Sequence, residues 1–222
     1  MKVVGVGLIK TGTKTLGVCL RRWGLKHISR DHEAFELWRK GEIETLLRKV
    51  GEFDSFEDWP WPLVYREIDR EFPGTRFILT RRKDAKTWFR SVCKHAGRTG
   101  PTDYRKYVFG HEMPYGREKE HIQFYESHLR SVRAYFKDRP GDLLEVCWED
   151  GSGWAELAAF LGFEPPDAPF PHLNKSPSRM DNAKNLARRL IKRSLRSAPW
   201  PLASVITELE RRRGRHKHPS GG

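Results

Sequence analysis

Lys2-Val-Val-Gly-Val-Gly-Leu-Ile-Lys-Thr-Gly-Thr-Lys-Thr-Leu16 opens the chain and decides its fold. The apolar run from Val3 to Leu8 reads as a buried strand. A Gly/Thr/Lys turn follows, and from about Thr13 apolar residues return at helical spacing as Leu16, Leu20 and Trp23. Strand, glycine turn and helix together aim backbone N–H groups and the positive end of a helix at a phosphate or sulfate. Lys10 adds a mobile point charge, and Thr11, Thr13 and Thr15 offer hydroxyl donors. An ordinary βα turn would need none of these, so their convergence points to an anion site made from Lys10, Thr11, Gly12, Thr13, Lys14 and Thr15.

The nucleotide-triphosphatase loop, GxxxxGK[ST], places lysine immediately after its second glycine. Here Gly7 and Gly12 have that separation, but Thr13 follows Gly12 and Lys14-Thr15 comes one residue late. A one-residue shift changes which side chain points into the loop. The run Leu8-Ile-Lys-Thr-Gly-Thr-Lys-Thr-Leu16 more closely resembles the loop of the sulfotransferases, whose cytosolic members read Tyr-Pro-Lys-Ser-Gly-Thr-Thr-Trp. That resemblance implies 3′-phosphoadenosine 5′-phosphosulfate (PAPS) as co-substrate, held by this loop, with no metal required.

Outward from the loop, strands alternate with helices. Gly24 marks the end of the first helix, and Leu25–Ile28 reads as a short strand. Asp31 caps a helix expected to run to about Val50. Phe53–Glu57 is a strand stopped by Asp58-Trp-Pro-Trp-Pro62, because proline has no N–H to give a ladder. A helix spans Leu63 to Glu71, Phe72-Pro-Gly74 turns the chain, and Arg76–Thr80 is a buried strand. Asp84 caps the next helix, through Trp88, Val92 and Cys93. Residues 97–116, rich in glycine and proline, read as a long loop that covers an acceptor site. Glu118–Lys137 is an amphipathic helix, Asp142–Cys147 a strand, and Ser152 caps a last helix from Trp154 to Leu161. The alternation predicts an α/β fold of three layers and P-loop type, with a central parallel sheet flanked by helices.

Arg76–Ser91 carries the second constellation. Arg81 and Arg82 stand beyond the carboxyl end of a strand, where open α/β sheets bind ligands. Ser91 follows about two turns into the next helix, and arginines with a hydroxyl suit a phosphate. The alternative is a solvated basic patch. In sulfotransferases a strand-end arginine and a serine eight residues later hold the 3′-phosphate of PAPS. The separation here is nine from Arg82 and ten from Arg81, so the resemblance assigns that role to Arg82 and Ser91 with Arg81 as the alternative. A Phe-Pro-Gly turn, the Ile-Leu-Thr strand, Glu57-Asp-Trp-Pro60 and Gly162–Asn174 resemble a short bacterial-type branch of the superfamily. The resemblance runs in order through residues 3–175.

The third constellation is Glu57-Asp58-Trp59-Pro60. Sulfuryl transfer needs a base for the acceptor's proton. Cytosolic sulfotransferases supply a histidine in Lys-Thr-His-Leu-Pro, and Asp58-Trp-Pro60 occupies the His-Leu-Pro position. The candidate base is Asp58, with Glu57 second and His27 or His32 behind it; the resemblance gives Lys10 the role of neutralising the leaving oxygen. The family's late Arg-Lys-Gly-x-x-Gly segment is absent, with Asn174–Arg179 as a substitute to consider.

Composition bounds the rest. The chain has 222 residues, enough for one α/β domain with an appendage, and its net charge is +13. Residues 181–222 alone carry +8, leaving +5 for residues 1–180. A sulfotransferase-like domain over 1–180 and a basic, partly helical, partly disordered tail over 181–222 follow. Cys19, Cys93 and Cys147 stand singly in apolar or helical surroundings, which suits reduced thiols and a cytoplasmic location. The expected acceptor is a small-molecule or glycan hydroxyl. Two rivals stay open: a P-loop small-molecule kinase or NTPase, and a basic protein bound to nucleic acid or a membrane surface. The tail's arginine runs lack aromatic platforms, so no specific nucleic acid is expected, whereas weak contact with acidic membranes is.

Overall fold

Strand β1, Val3–Gly5, is buried along its whole length and carries a neighbour on each side. In the computed structural model, which describes residues 1–171, β3 (Ser55–Phe56) pairs with one edge of β1 and β4 (Arg76–Thr80) with the other. β2 (His27–Ile28) lies outside β3, and β5 (Leu143–Val146) lies outside β4. The order is β2-β3-β1-β4-β5 and every pair is parallel. The chain therefore moves to one side of β1 first and to the other afterwards. The carboxyl ends of β1 and β4 flank that reversal, the place where such sheets leave a crevice.

Alternation along β4 builds the layers. Phe77 and Leu79 face one core with Val4, Phe56, Trp61, Trp88, Tyr125 and Phe136. Ile78 faces the other with Val3, Leu16, Leu20, Val146, Leu157 and Leu161. The first core is covered by α2 (His32–Lys40), α3 (Ile43–Gly51), α4 (Tyr65–Glu71), α5 (Ala85–Thr99) and α7 (Glu118–Tyr135). The second is covered by α1 (Thr13–Arg22) and α8 (Trp154–Leu161). Each fully buried Leu, Val or Phe contributes about 1.5–3 kcal/mol of apolar transfer, so both faces must be roofed. The three-layer expectation is met.

Local chemistry explains where the elements differ from expectation. The helix expected from Asp31 to Val50 is two helices. Asp31 does cap α2, its Oδ1 accepting from the Ala34 N–H at 2.9 Å, but Gly41 at φ 77° adopts the left-handed turn that ends it. β1 is shorter than Val3–Leu8, since only the Val6 N–H, to the Ile78 carbonyl at 2.9 Å, prolongs its pairing. The Leu63–Glu71 helix begins as a 3-10 turn over Trp61–Leu63. Ser152 is not a cap: its hydroxyl accepts from the Cys147 N–H at 3.2 Å, and Glu156 takes the Gly153 N–H at 2.8 Å.

The largest departure is in 97–116, which contains α6 (Asp103–Phe109) where a loop was expected. Thr102 caps it, and Arg105, 3% exposed, donates to the carbonyls of Gly100 and Glu112 and to the Thr99 hydroxyl. The readings of residues 181–222 as a basic tail, and of Asn174–Arg179, lie outside the described residues. No helix among the described residues is long and apolar enough to cross a membrane.

Candidate functional site

The loop between β1 and α1 is built around an uncapped helix end. Gly12, at φ 96°, occupies the N-cap position, where no side chain takes an amide. Among the described residues, the N–H groups of Gly12, Thr13 and Lys14 have no backbone acceptor, so the helix presents them to whatever lies in front. A Cβ at Gly12 would stand 2.3 Å from Trp148 Cδ1, and the Trp148 indole donates to the Gly12 carbonyl at 3.2 Å. The hydroxyls are turned inward. Thr11 donates to the Leu8 carbonyl at 2.6 Å and meets the Thr80 hydroxyl at 2.6 Å, while Thr13 and Thr15 are buried. Backbone amides and the Lys10 and Lys14 ammonium groups are what this loop offers an anion.

Lys10 is half-buried, and the Trp88 indole of α5 holds the preceding residue by donating to the Ile9 carbonyl at 2.8 Å. Burial, and then repulsion from Arg98, Lys14 and Arg82, hold the Lys10 ammonium below the usual lysine range, with Asp58 pulling the other way. Cations are gathered here, and among the described residues none of Lys10, Lys14 and Arg98 forms an ion pair with a carboxylate.

The turn after β3 supplies the acid. Asp58 has φ 69°, as does Lys10, and these are the two non-glycine residues with positive φ among the described residues. Such backbone costs on the order of 1–3 kcal/mol and persists where its surroundings enforce it, commonly at functional sites. Asp58 Oδ1 accepts from the Trp59 N–H at 2.8 Å, and the Asp31 N–H ties the Trp59 carbonyl at 3.1 Å, ahead of a cis Trp59–Pro60 bond. Burial, with the neighbouring Glu57 charge, pushes the Asp58 carboxyl up to about 6.

Glu57 is different in kind. It is 2% exposed and accepts from the Ser29 hydroxyl, with His27 Nε2 at 3.8 Å. Burial raises its carboxyl, but contacts from His27, Ser29 and Thr13 outweigh this and hold it below the usual range. Glu57 and His27, the latter also bonded to Ser55 at 2.9 Å, form a buried brace under α1. His32 stands edge-on to Tyr104 of α6 at 5.8 Å.

At the end of β4 the arginines already have partners. Arg81 donates to Glu145 at 2.7 Å and lies 3.3 Å from Asp150. Arg82 pairs with Glu149 at 2.8 Å, while its backbone N–H reaches the Tyr125 hydroxyl at 3.0 Å. The Arg82 Nε is buried with no hydrogen-bond partner among the described residues, a donor direction left open. Ser91 is half-buried on α5 and makes no hydrogen bond to either arginine.

Two residues near Lys10 escaped the sequence reading, His95 and Arg98. Burial and the charges of Lys10, Arg98, Arg105 and Lys14 push the His95 imidazole down to about 4, so it is neutral at physiological pH. Ser91, His95 and Arg98 are spaced i, i+4, i+7 and share one face of α5, a signal that was readable once Ser91 was chosen. Among the described residues, no group of three His, Cys, Asp or Glu side chains is placed to hold a metal ion.

Comparison with known proteins adds two findings. The sulfotransferase domain profile matches residues 2–109 and 102–179. The Ava biosynthesis cluster protein M of Aspergillus versicolor is 25% identical over 215 residues, an alignment that covers 78% of this chain and 80% of that protein.

Proposed function

The chain belongs to the sulfotransferase domain family, which makes it a transferase, and from that premise we propose that its donor is PAPS and its chemistry an in-line displacement at sulfur. The observation that carries this reading is the meeting of an uncapped helix N-terminus with Lys10 and Lys14, in the field of Arg82 and Arg98. A donor with one anionic group at its 5′ end and another on its 3′ oxygen matches cations at the ends of two adjacent strands. The loop amides and Lys10 would take the phosphosulfate, and the open Arg82 Nε, together with Ser91 of α5, would take the 3′-phosphate.

Asp58 would accept the proton of the acceptor hydroxyl or amine as that atom bonds to sulfur. The bond from sulfur to the bridging oxygen breaks, Lys10 stabilises the charge left there, and adenosine 3′,5′-bisphosphate departs. A carboxylate pushed up to about 6 is still ionised at neutral pH and is a better base than an ordinary aspartate. Glu57 is buried and engaged, which supports Asp58 for the proton. A small-molecule or glycan hydroxyl remains the proposed acceptor class, and the cytoplasm the proposed compartment.

Thermal unfolding of the full chain tests the donor. Adenosine 3′,5′-bisphosphate without metal should stabilise the fold, by about 2.7 kcal/mol at a hundredfold excess over its Kd. AMP, which lacks the 3′-phosphate, should stabilise it far less. Stabilisation by ATP only in the presence of Mg²⁺, with none by the bisphosphate, would move the protein to the kinase class.

A further inference from the structure

Lys10, Lys14 and Arg98 form no ion pair among the described residues, and the charges of Arg98 and Lys14 both bear on Lys10 beside the helix end, with Asp58 opposing them. Elsewhere the arginines near the sheet's carboxyl edge are neutralised, Arg81 by Glu145 and Asp150, Arg82 by Glu149. Arg98 belongs to a different element from the two lysines, and the structure shows why it arrives here. The Trp88 indole pins α5 against the loop at Ile9. The stripe that Trp88 begins continues along α5 through Ser91, His95 and Arg98, at steps of three, four and three residues. The end of that helix is held by Arg105, which donates to Gly100 and Thr99 immediately beyond Arg98. Arg98 is the cation whose charge bears most on Lys10, ahead of Lys14 from Lys10's own loop.

Like charges brought together by rigid elements cost free energy unless an anion joins them. Lys10 and Lys14 are point charges, whereas a guanidinium can give two parallel N–H groups to one oxyanion. We infer that Arg98 of α5 joins Lys10 and Lys14 in a cradle for a single tetrahedral oxyanion. On the donor reading above, on which the identity of that group rests, it is the sulfuryl group in transfer. Arg98 is then a substrate contact supplied from outside the loop motif. His95, neutral beside it, contributes an N–H and adds no charge.

Inorganic sulfate is the probe, titrated calorimetrically into the full chain at fixed ionic strength. The wild type should bind it saturably, and Arg98→Ala should weaken it about tenfold or more, with Arg98→Lys recovering part of the loss. Lys86→Ala, an exposed cation on the opposite side of α5, should leave sulfate affinity unchanged. Arg98 is exposed and makes no described ion pair, so its variants should melt near the wild type; Arg98→Gln, which keeps the bulk, checks any that do not. Sulfate binding untouched by all three Arg98 variants, or absent from the wild type, overturns the inference. A second readout locates the oxyanion: Arg98→Ala should keep adenosine 3′,5′-bisphosphate affinity within about twofold while turnover falls. Equal loss of bisphosphate affinity would place Arg98 on the nucleotide and overturn it. Sulfate binding that depends on Arg98 in a chain that ignores the bisphosphate would uphold the cradle and bring down the donor reading alone.

Discussion

The two sides of β4's carboxyl end carry similar basic residues in opposite circumstances. Toward β5, Arg81, Arg133 and Arg82 meet Glu145, Glu149 and Asp150, so that each guanidinium has a carboxylate within 3.3 Å. Toward β1, Lys10, Lys14 and Arg98 form no ion pair among the described residues, and Asp58 is the acid that opposes the other charges acting on Lys10. Counting charges would rank the two regions alike. Pairing separates them: the first is a brace that the protein satisfies itself, and the second is left for something else to satisfy.

The comparison breaks most visibly at Asp58. Asp58→Asn should cut turnover about 10²-fold or more, the scale of general-base loss, with bisphosphate affinity kept. In the wild type, kcat/KM should fall as pH drops through about 6, because the base is the ionised carboxylate and protonation removes it. Wild-type turnover in the Asn variant, or an acid limb that survives the change, would return attention to Glu57 and His32.

Arg82 sits on the boundary between the regions. Arg82→Ala should weaken bisphosphate binding by about 1.5–3 kcal/mol, as expected for a charge-assisted hydrogen bond. If calorimetry instead shows unchanged affinity and a lowered Tm, Arg82 belongs wholly to the brace with Glu149. Gly12→Ala comes next. Its Cβ would press into Trp148 and its backbone would be held at φ 96°, so a loss of about 1–2 kcal/mol in urea unfolding is expected. A neutral effect would mean that the loop gives way there, against the rigidity the cradle needs.

The smallest effect should come from the satisfied side. Glu145→Gln should lower stability by no more than about 1 kcal/mol, since the pairs are partly exposed, and leave kcat untouched. Arg133, against an opposing burial cost and with help from Arg81, holds Glu145 below the usual carboxylate range. That stabilisation is present above the ordinary glutamate pKa and is lost as pH falls through the depressed one. The acid-side difference between wild type and variant should close in that window.

Features with local causes were legible in the sequence. Arg76–Thr80 is the strand its apolar run predicts, and Asp31 and Asp84 cap as acids do before a helix, Asp84 taking the Thr87 N–H at 2.6 Å. The fold class followed from alternation, and the loop from its glycine, threonine and lysine content. What the sequence hid depends on partners distant in the chain. Gly41 looks no different from a tolerated helical glycine until the turn is seen. The threonine hydroxyls read as ligand donors until Thr80 is found opposite Thr11. Arg98 resembles any surface arginine, because the absence of a carboxylate is a property of the folded neighbourhood and not of the residue.

Arg105 has a consequence for time as well as for place. A helix of seven residues is too short to hold itself in water, and α6 is held by its Thr102 cap, by Phe109 against Trp88 and Phe124, and by Arg105, which clasps carbonyls on both sides of it at Gly100 and Glu112. The amides of α6 should exchange with deuterium together, at a single rate, and Arg105→Met should accelerate all of them while β4 and β1 keep their protection. The segment that the sequence reads as covering an acceptor site would then open and close as one event.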